Sequence, residues 1–399
     1  MGFGTLAMLV ALGLVGPALA ALPRVGPPLV VGEILIGVVF GRSGLDVVPV
    51  DDAALNLLSE IGFALLMLIV GTHLPIHEAG LRPALRKALP VVVLTGILAL
   101  AGGYALAPVT GLRAPLVIAV LLATSSGAVA LPVLQALKGS DDTLLVATAW
   151  IAVADVATVL AIPLVIRQGS MVQVLAGIAA VVLLAAVVYL VARRFSSSDP
   201  IHGLRHRSKK QHWALDLRIN LLVLFCLAAI AVHQHTSVLI AGFAAGTVLA
   251  LLGEPRRLSW QLIGLGEGFL IPLFFVDLGA KLDLHALVTR PANLVLAASL
   301  TVGAVVVHVL AARLLRLPIG AGLLATAQLG VPSAVATLGL ATGLLQPGQA
   351  AAVLTAVLAS LGACAWGASL LGHTGSVGDH AAPHLSPVVN VDVDPAAPA

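Results

Sequence analysis

Long apolar runs, separated by short polar stretches, make up most of the chain. Each run has about the 20 residues that an α-helix needs to cross the hydrocarbon core of a bilayer. The runs do not alternate between apolar and polar positions, as the strands of a membrane β-barrel do. The pattern therefore predicts an all-α polytopic membrane protein with about 13 transmembrane helices. The predicted spans lie near 4–22, 26–44, 55–72, 88–110, 114–137, 144–166, 171–193, 214–232, 236–253, 261–281, 291–315, 319–343 and 349–372.

Two of these spans carry serine, glycine and proline near their middle. One contains Thr-Ser-Ser-Gly-Ala-Val-Ala-Leu-Pro at 124–132, and the other contains Gln-Leu-Gly-Val-Pro-Ser at 328–333. Proline removes a backbone donor and clashes with the preceding turn, so a helix can open there. Two discontinuous helices that cross at a shared site are predicted, because broken helices present free carbonyls and helix dipoles to one point; two mildly kinked packing helices are the alternative. The predicted site residues are Thr124, Ser125 and Ser126 in the first helix and Gln328, Gly330 and Ser333 in the second.

The two discontinuous spans occupy equivalent places in two similar halves of the chain. Leu-Leu-Ala-Thr at 121–124 recurs at 323–326, Gly-Phe at 62–63 recurs at 268–269, and Gly37 corresponds to Gly246. Equivalent helices of the two six-helix repeats are separated by an odd number of crossings, so the repeats have opposite orientation. Inverted repeats are typical of alternating-access transporters. The predicted division is a first repeat with its connector helix at 1–195, a basic cytoplasmic linker at 196–213, a second repeat at 214–372 and a disordered cytoplasmic tail at 373–399.

Composition excludes a water-soluble enzyme and indicates the orientation in the membrane. Of the 399 residues, 59% are hydrophobic and 10% are charged, whereas a soluble protein has about 25% charged residues. The 21 lysines and arginines are concentrated on one side of the predicted topology, which the positive-inside rule makes the cytoplasmic side of the plasma (inner) membrane. The N-terminus is then outside and the C-terminus inside, and no nucleic-acid partner is expected. The exceptions on the outer side are Arg42, Arg113, Arg167, Lys281 and Arg290.

Asp155 lies near the middle of the span that follows the first discontinuous helix. A carboxylate at that depth is costly and marks a functional site by default. Thr158 lies one turn away on the same face of the helix. Because Na⁺ and K⁺ prefer oxygen ligands, Asp155 is predicted to hold a proton and to release it when a cation arrives. An aspartate that is only hydrogen-bonded to a neighbour is the alternative.

Other ionisable and thiol groups lie within or near the spans. His308 lies inside a span, and its imidazole changes charge in the physiological range, so it is a predicted charge partner of Asp155 or else a neutral packing histidine. Glu33 and Asp277 lie nearer to span ends and are possible points where ions enter, or else structural groups. Cys226 and Cys364 are predicted to be buried thiols. No cofactor, and no metal beyond a transported monovalent cation, is expected.

Several motifs resemble those of the Kef-type monovalent cation:proton antiporters. They are the stretch 28–41, the stretch 58–63 with Gly71, and the stretch 272–276 with Gly279. Ser-Ser-Gly-Ala-Val at 125–129 stands where that family has Ser-Ser-Thr followed by small apolar residues. The resemblance implies a sodium/proton antiporter-like fold, in which a core domain built from spans 4–6 and 11–13 moves like an elevator against a panel or dimerisation domain. It also implies a homodimer.

The resemblance further implies that Asp155 is the ion-binding aspartate and that His308 replaces a core lysine. The chain departs from the family at Ala154, where Asp, Asn or Gln is usual, and at Gly127, where threonine is usual. With one carboxylate instead of two, the simplest expectation is electroneutral exchange of one proton per cation. The regulatory nucleotide-binding domain of many Kef proteins is expected to be absent.

The expected function is secondary exchange of Na⁺ or K⁺ for H⁺ across the membrane, and no enzymatic activity is expected. A channel-like K⁺ efflux pathway and a transporter of another solute on the same fold are the alternatives. The negative charge of Asp155 argues against an anion as that solute. The spans contain no nucleophile–base pair with motif support, which makes an intramembrane hydrolase the weakest possibility.

Overall fold

The computed structural model describes residues 2–21, 29–72, 81–136, 142–166, 170–195, 214–234, 237–253 and 264–375. The predicted linker at 196–213 and nearly all of the predicted tail at 373–399 lie outside the described residues. All regular secondary structure in the described ranges is helical.

The helices follow one another with short connections. The first half contains α1 (Phe3–Gly13), α2 (Val15–Ala20), α3 (Leu29–Phe40), α4 (Ala53–Thr72), α5 (Leu81–Thr110), α6 (Pro115–Ala123), α7 (Gly127–Ala136), α8 (Asp142–Val165) and α9 (Met171–Phe195). The second half contains α10 (Leu215–His233), α11 (Val238–Leu252), a π-helical turn (Gly266–Leu270), α12 (Ile271–Ala280), α13 (Leu284–Thr289), α14 (Pro291–Leu314), α15 (Ile319–Ala325), α16 (Gly330–Ala341) and α17 (Pro347–Gly375).

Within the described residues, 8 helical segments are long and apolar enough to cross a membrane. This finding, with the mean hydropathy of +1.08, identifies an all-helical polytopic membrane protein. Some predicted spans are divided in the structure. The span at 4–22 contains α1 and α2, which meet at Leu14, and the span at 261–281 contains the π-helical turn and α12.

The helices pack in two groups. In one group α4 packs along α11, and α3 packs along α12, with α1 and α2 beside them. In the other group α5 packs against α6, α8 and α14, while α14, α15 and α16 pack against α17. The second group contains both helix pairs that carry the predicted discontinuities, and its buried positions are rich in alanine.

Glycines bring two pairs of helix backbones into direct contact. Gly37 on α3 lies against Val276 of α12, Gly279 on α12 lies against Ile34 of α3, and Gly71 on α4 faces Gly246 on α11. A Cβ atom at any of these four positions would overlap a backbone carbonyl oxygen of the facing helix. Such close contact is the way in which small residues join helices in lipid, where helices gain little from burying apolar surface.

Helices α9 and α10 have apolar faces that are exposed at the surface of the described chain, with Val172, Leu183 and Leu222 as examples. An apolar surface of this kind is suited to lipid. Cys226 lies on α10 and is exposed, whereas Cys364 is buried. The prediction of a buried thiol was therefore wrong for Cys226, because an apolar sequence run has the same appearance on a lipid-facing side as in a protein interior.

Candidate ion-binding site

Both predicted discontinuities are interruptions of helical structure, and they lie against each other. The first separates α6 from α7 over residues 124–126, and the second separates α15 from α16 over residues 326–329. The backbone N–H of Ser126 donates to the carbonyl oxygen of Ala327 at 2.7 Å. The amide Nε2 of Gln328 donates to the carbonyl oxygen of Leu121 at 2.8 Å. These two bonds join the interruptions into one unit.

Asp155 lies beside the first interruption, on α8. Its side chain is 6% exposed, and its Oδ2 accepts a hydrogen bond of 2.9 Å from the backbone N–H of Gly127. Gly127 is the first residue of α7, so the carboxylate lies at the positive end of that helix dipole. The arrangement stabilises a negative charge at a depth where water is excluded.

Two threonine hydroxyls contact each other and the backbone of α8 at Asp155, where the Thr158 hydroxyl lies 3.1 Å from the carbonyl oxygen of Asp155. Thr124 Oγ1 is 3.1 Å from Thr158 Oγ1, and the Thr158 hydroxyl donates to the carbonyl oxygen of Ala154 at 2.7 Å. Since each hydroxyl has one hydrogen, Thr124 is the donor to Thr158. The Thr124 oxygen therefore keeps lone pairs that can bind a cation.

His308 contacts the interruption through Ser125. Its Nδ1 is 2.9 Å from the carbonyl oxygen of Ala304, and because a carbonyl only accepts, Nδ1 carries a hydrogen. The Ser125 hydroxyl donates to the carbonyl oxygen of Ala325 at 2.7 Å and lies 3.4 Å from His308 Nε2. Within the described residues His308 has no ion pair with Asp155, so the predicted direct pairing of these two residues is not found in this conformation.

The contact between Ser125 and His308 depends on the protonation of the imidazole, as the hydrogen positions in these bonds show. With the Ser125 hydrogen used by Ala325, the serine oxygen can only accept from His308 Nε2. That contact is a hydrogen bond only when the imidazole carries a second proton. The ring of Trp150 stacks on His308 with centroids 5.8 Å apart, a distance at which an aromatic face attracts a cation.

Two buried residues of the site were missed from the sequence. Trp150 was missed because an aromatic residue in an apolar run gives no polar signal. Thr326, which is fully buried in the second interruption, could have been found, because the repeat pairs it with Thr124.

Two predicted residues of the second discontinuous helix lie apart from Asp155 in the described contacts. The Ser333 hydroxyl donates within its own helix, to the carbonyl oxygen of Leu329 at 2.7 Å. Gly330 lies close to Met67 of α4. The second discontinuous helix therefore contacts the first interruption through the side chain of Gln328 and through backbone carbonyl oxygens.

Glu33 and Asp277 belong to the other helix group, on α3 and α12. Their side chains are 0% and 1% exposed, whereas an ion-entry group needs contact with water. Asp277 Oδ2 forms an ion pair of 2.7 Å with Lys281, and the same ammonium donates to Asn56 Oδ1 at 2.7 Å. Neither carboxylate is open to solvent in this conformation, and the ion pair of Asp277 with Lys281 fits the structural alternative.

The described residues contain no cluster of three or more His, Cys, Asp or Glu side chains that could hold a metal ion. The site instead offers one carboxylate, hydroxyl groups and backbone carbonyls, all of them oxygen ligands that suit a monovalent cation. A buried carboxylate beside two interrupted helices is an arrangement that membrane transporters use to bind ions, which makes this the candidate site.

The chain belongs to the sodium/hydrogen exchanger family of transmembrane proteins, whose sequence profile matches residues 8–369. It is similar to the putative Na(+)/H(+) antiporter YjbQ of Bacillus subtilis, with 28% identity over 367 residues, which cover 84% of this chain and 57% of that protein. It is also similar to the probable Na(+)/H(+) antiporter 3 of Methanocaldococcus jannaschii, with 26% identity over 264 residues, or 65% of this chain and 67% of that one. The chain thus spans little more than half of the length of the Bacillus protein.

A solved structure has the same fold. The sodium proton antiporter MjNhaP1 of Methanocaldococcus jannaschii matches with a TM-score of 0.60 at 16% identity, over 94% of this chain and 98% of that one. The expected antiporter-like fold is therefore confirmed at the level of an NhaP-like helical architecture. These matches identify the exchanger family as a whole and do not single out the Kef-type group.

Proposed function

We propose that the chain is a secondary active transporter that exchanges a monovalent cation, Na⁺ or K⁺, for H⁺ at Asp155. The observation that carries this proposal is the position of a single buried carboxylate at the N-terminus of α7, beside the joined interruptions. Na⁺ is the first candidate for the cation, because similar proteins are named Na(+)/H(+) antiporters. The resemblance of the motifs to Kef-type antiporters keeps K⁺ as the second candidate.

The proposed exchange uses the carboxylate for either a proton or a cation, but not for both. A cation bound to Asp155 would take further oxygens from Thr124 and from the backbone of the two interruptions. Ser125 and Ser126 shape the first interruption, and Thr158 holds the hydroxyl of Thr124. When no cation is bound, the one exchanged proton would lie either on Asp155 itself or on His308, where its charge would balance the ionised carboxylate. His308 contacts the site through Ser125 and has Trp150 stacked on its ring.

Electroneutral stoichiometry is part of the proposal. Ala154 precedes Asp155 and is a buried, apolar residue, so this place contributes no second carboxylate. One proton released for each cation bound leaves the charge of the site unchanged.

The architecture that we propose has 13 crossings, two inverted six-helix repeats and an elevator-like motion of a core against a panel. Two observations support it. The helices pack in two groups, and one of these contains Asp155 and both interruptions. The paired glycine contacts also recur, because Gly246 follows Gly37 by 209 residues and Gly279 follows Gly71 by 208 residues.

The surroundings that we propose are a lipid bilayer of the plasma (inner) membrane, with the N-terminus outside and the C-terminus in the cytoplasm. The exposed apolar faces of α9 and α10 suit lipid or a second copy of the chain in a homodimer. The motifs at 28–41 and 272–276 support membership of the Kef-type group.

Transport by proteoliposomes with an inside-acid pH gradient, followed by a pH-sensitive dye, tests the proposal. Addition of Na⁺, K⁺ or Li⁺ is expected to dissipate the gradient, and Asp155→Asn is expected to abolish the response while the protein stays folded. Asp46→Asn is a matched control, because Asp46 lies in an exposed loop at positive φ, which asparagine tolerates. Cation-dependent exchange retained in Asp155→Asn would refute the central role of this carboxylate.

The same vesicles separate the proposal from its competitors. A channel-like K⁺ pathway would carry an electrical current that does not depend on the pH gradient. A transporter of another solute would leave the gradient intact with all three cations although the protein is folded.

A further inference from the structure

Glu33 is a buried carboxyl group that the proposed exchange at Asp155 does not use. It is the fifth residue of α3, and it is 0% exposed. Neither of its carboxyl oxygens has a hydrogen-bond partner among the described residues. An ionised carboxylate is strongly disfavoured in such a place, because it has lost its hydration and no donor replaces the water.

Backbone carbonyl oxygens lie near this carboxyl group, where α2 meets α3. A Cβ atom on Gly16 of α2 would lie 2.7 Å from Glu33 Cγ, 3.3 Å from Glu33 Oε1 and 3.0 Å from the carbonyl oxygen of Leu29. The carboxyl group and this carbonyl therefore border the same small space at Gly16. Carbonyl and carboxylate oxygens only accept hydrogen bonds, whereas a protonated carboxyl group has a hydrogen to donate. The surroundings thus suit the protonated form.

The described elements that pack against α3 offer Glu33 no positive charge. These elements are α1, α2 and α12, and α1 and α2 have no titratable side chains. On α12, Asp277 pairs with Lys281 at the end of the helix. Glu267, in the turn before α12, is another acidic residue and is exposed. Beyond the other end of α3, Arg42 pairs with Asp51.

Asp155 and Glu33 differ in what the protein provides for a negative charge. The carboxylate of Asp155 accepts a hydrogen bond from the Gly127 N–H at the N-terminus of α7, so its ionised form has support. Glu33 is buried as deeply and has no such donor among the described residues. The two carboxyl groups are therefore suited to different protonation states.

We propose that Glu33 is a second proton-binding site, which keeps its proton while Asp155 exchanges a proton for a cation, and which holds α2 against α3 in its neutral form. Loss of this proton would place an unpaired negative charge between the two helices. The folded protein then holds a proton that a glutamate exposed in the unfolded chain has released at neutral pH. Stability therefore falls as the pH rises. This inference goes beyond the exchange at Asp155 and does not depend on it.

Infrared spectroscopy of the purified full chain tests this site, because a protonated carboxyl group has a C=O stretching band that a carboxylate lacks. Glutamate labelled with ¹³C in its side-chain carboxyl group shifts this band away from that of Asp155. We expect the wild type to show a labelled acid band at neutral pH, with and without Na⁺, and Glu33→Gln to lack it. Glu60→Gln is the matched control, because Glu60 is exposed on α4, and it is expected to keep the band.

Thermal unfolding of the same proteins tests the role of the proton at the contact of α2 with α3. From neutral to alkaline pH, the melting temperature of the wild type is expected to fall more steeply than that of Glu33→Gln, whose amide cannot ionise. Glu60→Gln is expected to follow the wild type. Equal slopes in the wild type and Glu33→Gln would contradict this role.

Three spectral results would overturn the proton site. They are a wild type without a labelled acid band at neutral pH, a band that persists in Glu33→Gln, and a band that disappears when Na⁺ is added. If Glu33→Gln fails to fold, Gly16→Ala replaces it, because its Cβ would contact the carboxyl group. The band is then expected to shift, and an unshifted band contradicts the proposal. Asp155→Asn is expected to keep the band, so a failure of the exchange proposed at Asp155 is a separate result.

Discussion

Asp155 receives only part of its stabilisation from the protein. A helix N-terminus contributes about 0.3–2 kcal/mol to a nearby negative charge, and one charged hydrogen bond contributes about 1.5–3 kcal/mol. Removal of a carboxylate from water costs several kcal/mol or more even after relaxation. The Gly127 N–H at the start of α7 therefore does not suffice by itself. A proton or a cation must provide the remainder, which is why this residue suits exchange between the two.

Thr158 offers a test of the hydroxyl pair. Thr158→Val is expected to raise the KM for Na⁺ about tenfold, corresponding to about 1.4 kcal/mol, because Thr124 loses the acceptor that holds its hydroxyl. Thr158→Ser keeps the oxygen and is expected to behave like the wild type. Initial rates of gradient dissipation at increasing Na⁺ concentrations give the KM of each variant.

Thr148→Val is the control for this experiment. Thr148 lies on the same helix, and its hydroxyl donates only to the backbone of its own turn, at Leu144. Its loss should leave the KM unchanged. An equal rise of KM in Thr148→Val and Thr158→Val would indicate a general disturbance of α8 and would contradict a specific role of the hydroxyl pair.

The sequence singled out those polar residues of the candidate site that interrupt an apolar run. Asp155, Thr124 and Thr158 stand out for this reason, and the structure joins all three. The contact of His308 with Ser125 was not predictable, because it depends on how α14 packs beside the first interruption. The burial of Glu33 was not predictable either, since it depends on the approach of another helix at a glycine.

At the scale of helices, the closest packing is between backbones and not between side chains. Gly37→Ala is expected to destabilise the protein by about 1–3 kcal/mol, as overpacking does, because its Cβ would overlap a backbone oxygen on α12 that no rotamer change can move away. The melting temperature of the detergent-purified protein, read by differential scanning fluorimetry, should fall.

Gly96→Ala provides the contrast. Gly96 lies within α5, and a Cβ atom there would meet nothing within 4 Å. Alanine is favoured over glycine in a helix by up to about 1 kcal/mol, so this variant should melt at the same temperature as the wild type or higher. If the two variants melt alike, the helix backbones are not in the close contact described here.

The interruptions were the most predictable feature at this scale, because serine, glycine and proline occur together in otherwise apolar runs. The junction of α1 and α2 at Leu14 and the π-helical turn at Gly266–Leu270 were not predicted. Both divide stretches that are apolar throughout, and the length and hydropathy of a run do not reveal where its hydrogen bonding changes.

At the scale of the molecule, exchange at the single carboxylate of Asp155 has an electrical consequence. A transport step that carries one net charge changes by about 2.3 kcal/mol for each 100 mV of membrane potential, which amounts to about a 50-fold change in the equilibrium. Na⁺/H⁺ exchange by this chain is expected to show no such dependence. Vesicles with a valinomycin-imposed potential, compared with vesicles at zero potential, provide the measurement.

Ala154→Asp is the companion variant, since it adds a second carboxylate beside Asp155. It is expected to make the rate depend on the potential. A wild-type rate that already follows the potential would contradict the proposed exchange of one proton per cation.

The class of fold was predictable from the sequence because the length of the apolar runs and the distribution of basic residues constrain a membrane protein strongly. The number of membrane crossings was harder to predict. Helices α3, α11 and α12 are shorter than the 18 residues of a full apolar span. They pack against neighbouring helices, α11 along α4 and α3 along α12, and such packing is not part of a rule based on the length of an apolar run.

The bonds that join the two interruptions have a consequence for how relatives of this chain can be recognised. Three of the acceptors are carbonyl oxygens, at Leu121, Ala325 and Ala327, and one donor is the N–H of Ser126. Main-chain atoms are present whatever the side chain, so substitutions can accumulate at these acceptor positions without loss of the crossing. Motif searches over such a segment lose sensitivity as sequences diverge, whereas comparison of backbones does not.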